Sequence, residues 1–283
     1  MGQMVTLLGA AEIRQLAAEL EVTPTKKLGQ NFVVDGNTVR RIVQVAAPDV
    51  SDHVVEIGPG LGSLTLAILD TGARVTAVEI DHRLAARLGQ TAQQHGVASG
   101  ALTVIDADAM RVTELPEAPS VLLANLPYNI SVPVLLHFME NFATIGRGVV
   151  MVQAEVGERL VAPPGSKTYG SPSVKAAWYG SWRSAGMVSR QVFWPVPNVD
   201  SILVAWQRAA TPRGSEAERR RTFEIVDAAF GQRRKMLRQA LSGLIPDTSA
   251  VLESAGVDPT LRGEQLGVDQ FQAIARQAAQ ILS

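Results

Sequence analysis

Ile13, Leu16, Ala17 and Leu20 recur at the i, i+3, i+4, i+7 spacing of one helical face, which predicts a helix over 10–20. A Pro-containing loop over 23–32 follows. Short apolar runs then appear at 53–57, 74–80, 101–105, 121–125 and 148–153, separated by segments of helical character at 63–70, 82–94, 132–140 and 156–161. Apolar strands spaced by helices make a parallel sheet covered on both faces, so the expected class is α/β. Two later β runs, 187–192 and 202–207, have no helix between them and are expected as an antiparallel pair closing the sheet edge. The stretch 209–218, with Thr211-Pro-Arg-Gly-Ser215, reads as a linker. Beyond it Phe223, Val226, Phe230, Leu237, Leu241 and Leu244 keep helical spacing, with a break expected at Gly231 and no strand signal. The expected organisation is therefore a sheet domain over 1–208, the linker, and a small all-α domain over 219–283.

Composition narrows the chemistry. A chain of 283 residues fits about two domains at roughly 150 residues each, and 46% hydrophobic with 19% charged residues is an ordinary globular balance. No run approaches the ~18 apolar residues of a membrane helix, and the opening lacks the basic and apolar regions of a signal peptide, so a cytoplasmic protein is expected. The absence of Cys removes disulfides, thiolate metal sites and thiol nucleophiles, while His53, His82, His95 and His137 fall at no metal-binding spacing. No metal is expected. Met1 to Thr6 matches a myristoylation pattern and Asn129 to Ser131 a glycosylation sequon; both are set aside, the first as needing a eukaryotic modification system, the second as part of the site motif below.

The first strand runs into Glu56-Ile-Gly58-Pro-Gly60-Leu-Gly62 ahead of a helix. Glycines there let main chain approach a ligand closely, as in nucleotide sites. The position that would carry the third glycine of a nicotinamide fingerprint is Ser63. Glu79, ending the next strand, is placed to accept both hydroxyls of a ribose, and Asp108, after the third, to bond an adenine amino group. These features leave a dinucleotide or S-adenosylmethionine as the choice.

Asn125-Leu126-Pro127-Tyr128 follows the fourth strand. The N6 amino group of adenine is a poor nucleophile because its lone pair is delocalised into the ring. An Asn side-chain oxygen and a main-chain carbonyl held by a proline can accept both N6 hydrogens and localise that pair, and a tyrosine ring can stack on the base. A plain turn with a buried Tyr would use the same residue types; the place at the end of strand four of a ligand-binding sheet favours the methyltransferase reading.

With these motifs the chain resembles the ribosomal RNA small-subunit adenine dimethyltransferase family from about Lys26 to the C-terminal domain. The carriers are Lys26-Lys-Leu-Gly-Gln30-Asn31-Phe32, Glu56 to Gly60, Glu79, Ala107-Asp108-Ala109, Asn125 to Ile130, Gln153-Ala-Glu155-Val156 with Arg159, Tyr169-Gly170 before Ser173-Val174, Phe193-x-Pro195-x-Pro197-x-Val199-Asp200-Ser201, and Phe230 with Arg233-Arg234-Lys235. Pro172, Gly157 and Met236 stand where the family usually has Leu, Ala and Thr, away from the expected site.

The resemblance implies a Rossmann-like class I S-adenosylmethionine-dependent methyltransferase sheet with a small all-α C-terminal domain. It implies dimethylation of two adjacent adenines in the 3′-terminal hairpin loop of small-subunit (16S) rRNA, with a role in 30S subunit biogenesis. Gln30, Asn31, Val33, Gly58, Gly60, Glu79, Asp108 and Asn125 would hold S-adenosylmethionine. Asn125, Leu126, Pro127, Tyr128 and Phe193 would act on the base, with Tyr128 and Phe193 on the two faces of a flipped adenine. A core phenylalanine at a strand end is the alternative for Phe193; Pro195 and Pro197 favour the clamp by stiffening its loop.

RNA binding is expected from local charge, because the net charge is only −1. Arg213, Arg219, Arg220, Arg221, Arg233, Arg234, Lys235 and Arg238 outnumber Glu216, Glu218, Glu224 and Asp227, and the expected phosphate contacts are Arg233, Arg234, Lys235 and Arg238. A solvated helix face is the reading preferred for Arg219 to Arg221. Competing functions are a large-subunit rRNA methyltransferase of the erythromycin-resistance type, a ribosome-assembly factor with secondary methylation, and an NAD dehydrogenase. Gly-Pro-Gly and the Gln153 to Val156 segment favour the small-subunit reading over the first, and Ser63 disfavours the last. A monomer is expected.

Overall fold

The computed structural model describes residues 5–22, 31–126 and 130–281. In chain order the first elements are α1 (Ala10–Glu19), β1 (Phe32–Val33), α2 (Gly36–Ala46), β2 (His53–Ile57), α3 (Ser63–Leu69), β3 (Arg74–Glu79), α4 (His82–Gln94), β4 (Leu102–Asp106), β5 (Val121–Asn125), α5 (Ser131–Asn141), β6 (Arg147–Gln153), α6 (Ala154–Leu160), α7 (Ser171–Tyr179), β7 (Gly180–Val188), β8 (Phe193–Trp194) and β9 (Ser201–Arg208). After these come only helices, α8 (Glu216–Gly231), α9 (Leu237–Ala240), α10 (Thr248–Ser254) and α11 (Val268–Ile281), with a 3-10 turn at Gly263–Gln265.

Seven strands form one sheet in the order β4-β3-β2-β5-β6-β9-β7. The four pairings from β4 to β6 are parallel, and β9 is antiparallel to β6. The order of strand addition reverses about β2, since β3 and β4 lie to one side and β5 and β6 to the other. That switch point opens a crevice beyond the carboxyl ends of β2 and β5, where α/β sheets bind ligands. The central strands β2, β3 and β5 are buried along nearly their whole length because both faces are covered, and Val54, Val121, Leu123, Val149 and Leu203 share one core with Ile42 of α2 and Ile68 of α3.

The expected runs at 53–57 and 121–125 coincide with β2 and β5, and the break at Gly231 is the end of α8. The expected edge pair is present with different bounds: β7 (Gly180–Val188) lies hydrogen-bonded beside β9 at the sheet edge, and only Met187 and Val188 of the expected run 187–192 belong to it. Arg190–Val192 is a 3-10 turn, and β9 is also antiparallel to β6. An edge strand with mostly uncovered side chains, such as Gly180–Val188, has little apolar pattern to reveal it. Helix α2 was not among the expected elements, although Asp35 caps it by accepting from Thr38 N at 2.8 Å and Val39, Ile42, Val43 and Ala46 form its buried face.

By contacts the chain divides into two compact units, Met1–Gly157 with Arg183–Arg208, and Glu158–Trp182 with Ala209–Ser283. Residues 158–182, expected with the sheet, group with the C-terminal helices because their aromatics pack there. Trp178 and Tyr179 meet Phe223 of α8 edge-on at 6.0 and 6.3 Å, Tyr169 meets Phe230 at 6.0 Å, and the Tyr169 hydroxyl donates to Leu266 O at 2.7 Å. Leu237 and Leu241 are buried in this unit, whereas Leu244 is exposed.

Two of the departures from the family pattern have packing reasons. A Cβ at position 157 would lie 2.1 Å from Ile202 Cγ2 and 2.9 Å from Val204 Cγ2, so β-branched neighbours on β9 require the glycine. Pro172 occupies the first turn of α7, where its missing N–H costs nothing.

Candidate active site

The crevice is a cleft of about 370 Å³ within the sheet unit. One wall is main chain. Gly58, Gly60 and Gly62 leave β2 with φ of +67°, +60° and +100°, a region other residues enter only with strain, and a Cβ on Gly60 would come within 3.1 Å of the Phe32 ring. Glu79, at the end of β3 and only 4% exposed, holds this loop: one carboxylate oxygen accepts Gly60 N–H at 3.0 Å, the other accepts Ile80 and Asp81 N–H at 2.9 and 3.0 Å. Burial raises its pKa, and the three amides oppose that shift. Asp108, after β4, is partly exposed and accepts Met110 N–H at 2.9 Å.

The opposite wall begins at Asn125, the last residue of β5. Its Nδ2 donates to the main-chain carbonyl of Asn31 at 3.1 Å, and Leu126 N donates to Met151 O at 3.0 Å. Segment 31–34 is fixed on both sides: Ser63 Oγ donates to Val33 O at 2.8 Å, and Phe32 and Val33 pair with Trp194 and Phe193 across β1 and β8. Ser63, which breaks the nicotinamide fingerprint, is thus the residue that ties the glycine loop to this segment.

Of the expected site residues, Asn31, Val33, Gly58, Gly60, Glu79, Asp108, Asn125 and Leu126 line the cleft. Gln30, Pro127 and Tyr128 lie outside the described residues. Phe193 is not among the lining residues. It is 2% exposed and packs in the sheet core with Val33, so the core reading, not the clamp, describes its position. The β1–β8 pairing sets Phe193 opposite Val33, and both are buried in the same core cluster.

Sequence reasoning missed Glu56, Ile80, Met110 and Ile130, which also line the cleft. Ile80 directly follows Glu79 and is 52% exposed, an apolar residue left open at a strand end. Glu56 is fully buried beneath the loop, and its Oε2 has no hydrogen-bond partner among the described residues. Burial, with the Glu79 carboxylate adding to it, pushes its pKa up to about 8; the nearby Thr65 hydroxyl tempers the shift without meeting hydrogen-bond geometry. Among the described residues no group of three His, Asp or Glu side chains is placed to hold a metal ion.

A model of ribosomal RNA adenine dimethylases matches residues 23–280. The chain belongs to that family. It is 63% identical over 273 residues to the ribosomal RNA small subunit methyltransferase A of Leifsonia xyli subsp. xyli, covering 95% of this chain and 98% of that one. It is 56% identical over 274 residues to the protein of the same name from Thermobifida fusca, with 95% of each chain covered. Among solved structures, the 23S rRNA methyltransferase ErmE superposes with a TM-score of 0.67 at 26% identity over 88% of this chain and all of that one. A dimethyladenosine transferase from Plasmodium falciparum shares the fold, with a TM-score of 0.73 at 22% identity over 85% and 94% of the two chains. The sheet described above is therefore the class I methyltransferase sheet of this family.

In the helical unit of this dimethylase, the expected basic cluster is smaller than its composition. Arg213 pairs with Asp269, and Arg219 and Arg220 share Glu216 at 2.7 and 2.6 Å. Arg219 is buried with its guanidinium 5.0 Å over the Phe223 ring, so it is not part of a solvated face. Arg233 is tied to Glu264 at 2.8 Å and to Lys167 O at 3.1 Å. Arg234, Lys235 and Arg238 are exposed around the turn between α8 and α9.

Proposed function

We propose that this chain transfers methyl groups from S-adenosylmethionine to N6 of two adjacent adenines in the 3′-terminal hairpin loop of small-subunit rRNA, acting on the 30S subunit during its assembly in the cytoplasm, as a monomer. The observation that carries the reading is Asn125: an amide at the end of β5 opens into the cleft that Gly58, Gly60, Glu79 and Asp108 border. The positive-φ glycines, the buried Glu79 carboxylate and the exposed Ile80 suit a nucleoside-type cofactor, the acid at its ribose and the apolar side chain against its base. Asp108 would take the adenine amino group.

When bound, S-adenosylmethionine supplies an electrophilic methyl group on a sulfonium. The protein's part is orientation and charge placement. Asn125 Oδ1 accepts one N6 hydrogen of the target adenine and the Leu126 carbonyl the other, so the nitrogen lone pair is freed to attack in line, and the displaced N6 proton passes to solvent. Arg234, Lys235 and Arg238 meet phosphates, with Arg233 beside them held by Glu264 and Lys167 O, which sets position without reading sequence.

Identity of 63% to a small-subunit enzyme, against 26% to the 23S methyltransferase, supports the small subunit as substrate. Tritiated S-adenosylmethionine offered with unmethylated small subunits, large subunits and naked rRNA tests this. Label is expected in the small subunit; label only in the large subunit or only in naked RNA rejects the assignment.

A further inference from the structure

Asn125 has a second polar end whose partner lies 94 residues away in sequence, and the reaction above does not explain it. A carboxamide has two orientations of similar shape. In one it offers oxygen to the target amino group; in the other it offers NH2, which would face the N6 hydrogens donor to donor. Rotation of the side chain alone does not choose between them. The choice needs a neighbour that accepts and cannot donate, and the Asn31 main-chain carbonyl, 3.1 Å from Nδ2, is such a group.

That carbonyl is held in place. Ser63 Oγ fixes Val33 O at 2.8 Å, Val34 N donates to Val192 O at 2.8 Å, and β1 pairs with β8. Asn125 is held through β5, in register with Met151 of β6. Two anchored main chains therefore meet through one side-chain hydrogen bond at the edge of the cleft.

We propose that the Asn31 carbonyl is a positioning group that orients Asn125 Oδ1 toward the substrate, so that position 125 must carry a hydrogen-bond donor facing Asn31 as well as an acceptor facing the base. This rests on the proposed adenine methylation. A neutral carboxyl satisfies both demands, with O–H toward Asn31 and C=O toward N6; a carboxylate presents an oxygen to the carbonyl and repels it. Asn125→Asp is therefore pH-dependent in a way the wild type is not. Among the described residues, the other titratable groups on the cleft are Glu56 on β2, Glu79 on β3 and Asp108 after β4. All three are present in both proteins, so the ratio of variant to wild-type turnover isolates position 125.

The test measures methylation of unmethylated small subunits by the full chain between pH 6 and 9, for wild type, Asn125→Asp and Asn125→Ala. At pH 9, Asn125→Asp is expected about a hundredfold below wild type, the scale of losing one oriented group at a reacting centre. Its ratio to wild type is expected to rise about tenfold or more toward pH 6, while the Asn125→Ala ratio stays flat. Activity of Asn125→Asp close to wild type at pH 9, or a flat ratio, overturns the proposal. A second measurement needs no folded variant at low pH and no substrate: exchange of the Asn125 side-chain NH2 in the wild type, identified by its loss in Asn125→Ala. Exchange about tenfold slower than that of exposed Asn side chains is expected, and exchange at their rate overturns the contact. If the wild type leaves small subunits unmethylated, the substrate assignment fails while the exchange result still decides the positioning.

Discussion

The glycine-loop edge of the cleft and the Asn125 edge are built on different principles. At the first, the ligand surface is main chain: of three positive-φ glycines the middle one, Gly60, is held by a buried carboxylate, and side chains matter mainly by being absent or by holding amides. At the second, the working atoms belong to a side chain whose direction is set by a distant carbonyl. The first edge resists change because altered backbone needs a new loop. The second depends on one side-chain hydrogen bond for its orientation.

The contrast predicts its largest effect at the second edge. Asn125→Ala should lower turnover about a thousandfold, on the order of 4 kcal/mol of transition-state stabilisation, with cofactor affinity changed much less. Turnover on small subunits and calorimetric affinity for S-adenosylmethionine check this together. Equal losses in both would make Asn125 a cofactor ligand and remove the distinction between the edges.

Beneath the first edge, Glu56 makes stability depend on pH. Its folded pKa of about 8 lies above the ordinary value of 4.5, so the folded state holds the proton more tightly than the unfolded chain. That contribution is complete below about pH 4.5 and is lost as pH rises toward 8, beyond which a buried charge remains. Glu56→Gln should thus leave stability near pH 5 almost unchanged and gain about 3 kcal/mol relative to wild type at pH 9, allowing for relaxation around the charge. Denaturant melts at the two pH values measure it. An equal effect at both would mean that Glu56 is already ionised in the fold.

The same contrast explains what could be read from the sequence. Gly58, Gly60 and Glu79 were legible because a strand tip with positive φ admits few residues other than glycine, and an acid at the next strand end has few partners but the loop and a ribose. The α/β class followed from apolar runs spaced by helices, whereas the strand order did not. The Asn125–Asn31 bond was not legible, since no spacing links residues so far apart. Residues 158–182 joined the helical unit through aromatic packing, and their sequence resembles any amphipathic segment. Glu56 was quoted only as the start of the glycine motif, and nothing in its neighbours announced full burial.

Glu79 tests how far the main-chain edge depends on one side chain. Glu79→Ala removes a proposed acceptor for the ribose and also leaves the Gly60, Ile80 and Asp81 amides without their carboxylate. Cofactor affinity should fall by about 2 kcal/mol, roughly thirtyfold, and the melting temperature should fall with it. A lower melting temperature with unchanged affinity would confine Glu79 to holding the loop.

The smallest expected effect belongs to Phe193, the residue on which the two edges make opposite demands. A base clamp needs an aromatic face open to the cleft, whereas Phe193 is 2% exposed, paired through β8 to Val33 and packed in the sheet core. Leucine fills most of that volume and keeps the contact apolar, so Phe193→Leu should cost about 1 kcal/mol of stability. Turnover per folded molecule should stay within about twofold of wild type, because no stacked face is lost; a stacked base–aromatic contact would contribute about 1–3 kcal/mol and its loss would show as roughly a tenfold drop or more. Denaturant melts and turnover on small subunits, read on the same preparation, separate the two. A drop above tenfold with stability unchanged would mean that β8 opens on substrate binding and delivers the ring to the base, which would move Phe193 from the core to the side-chain edge of the cleft.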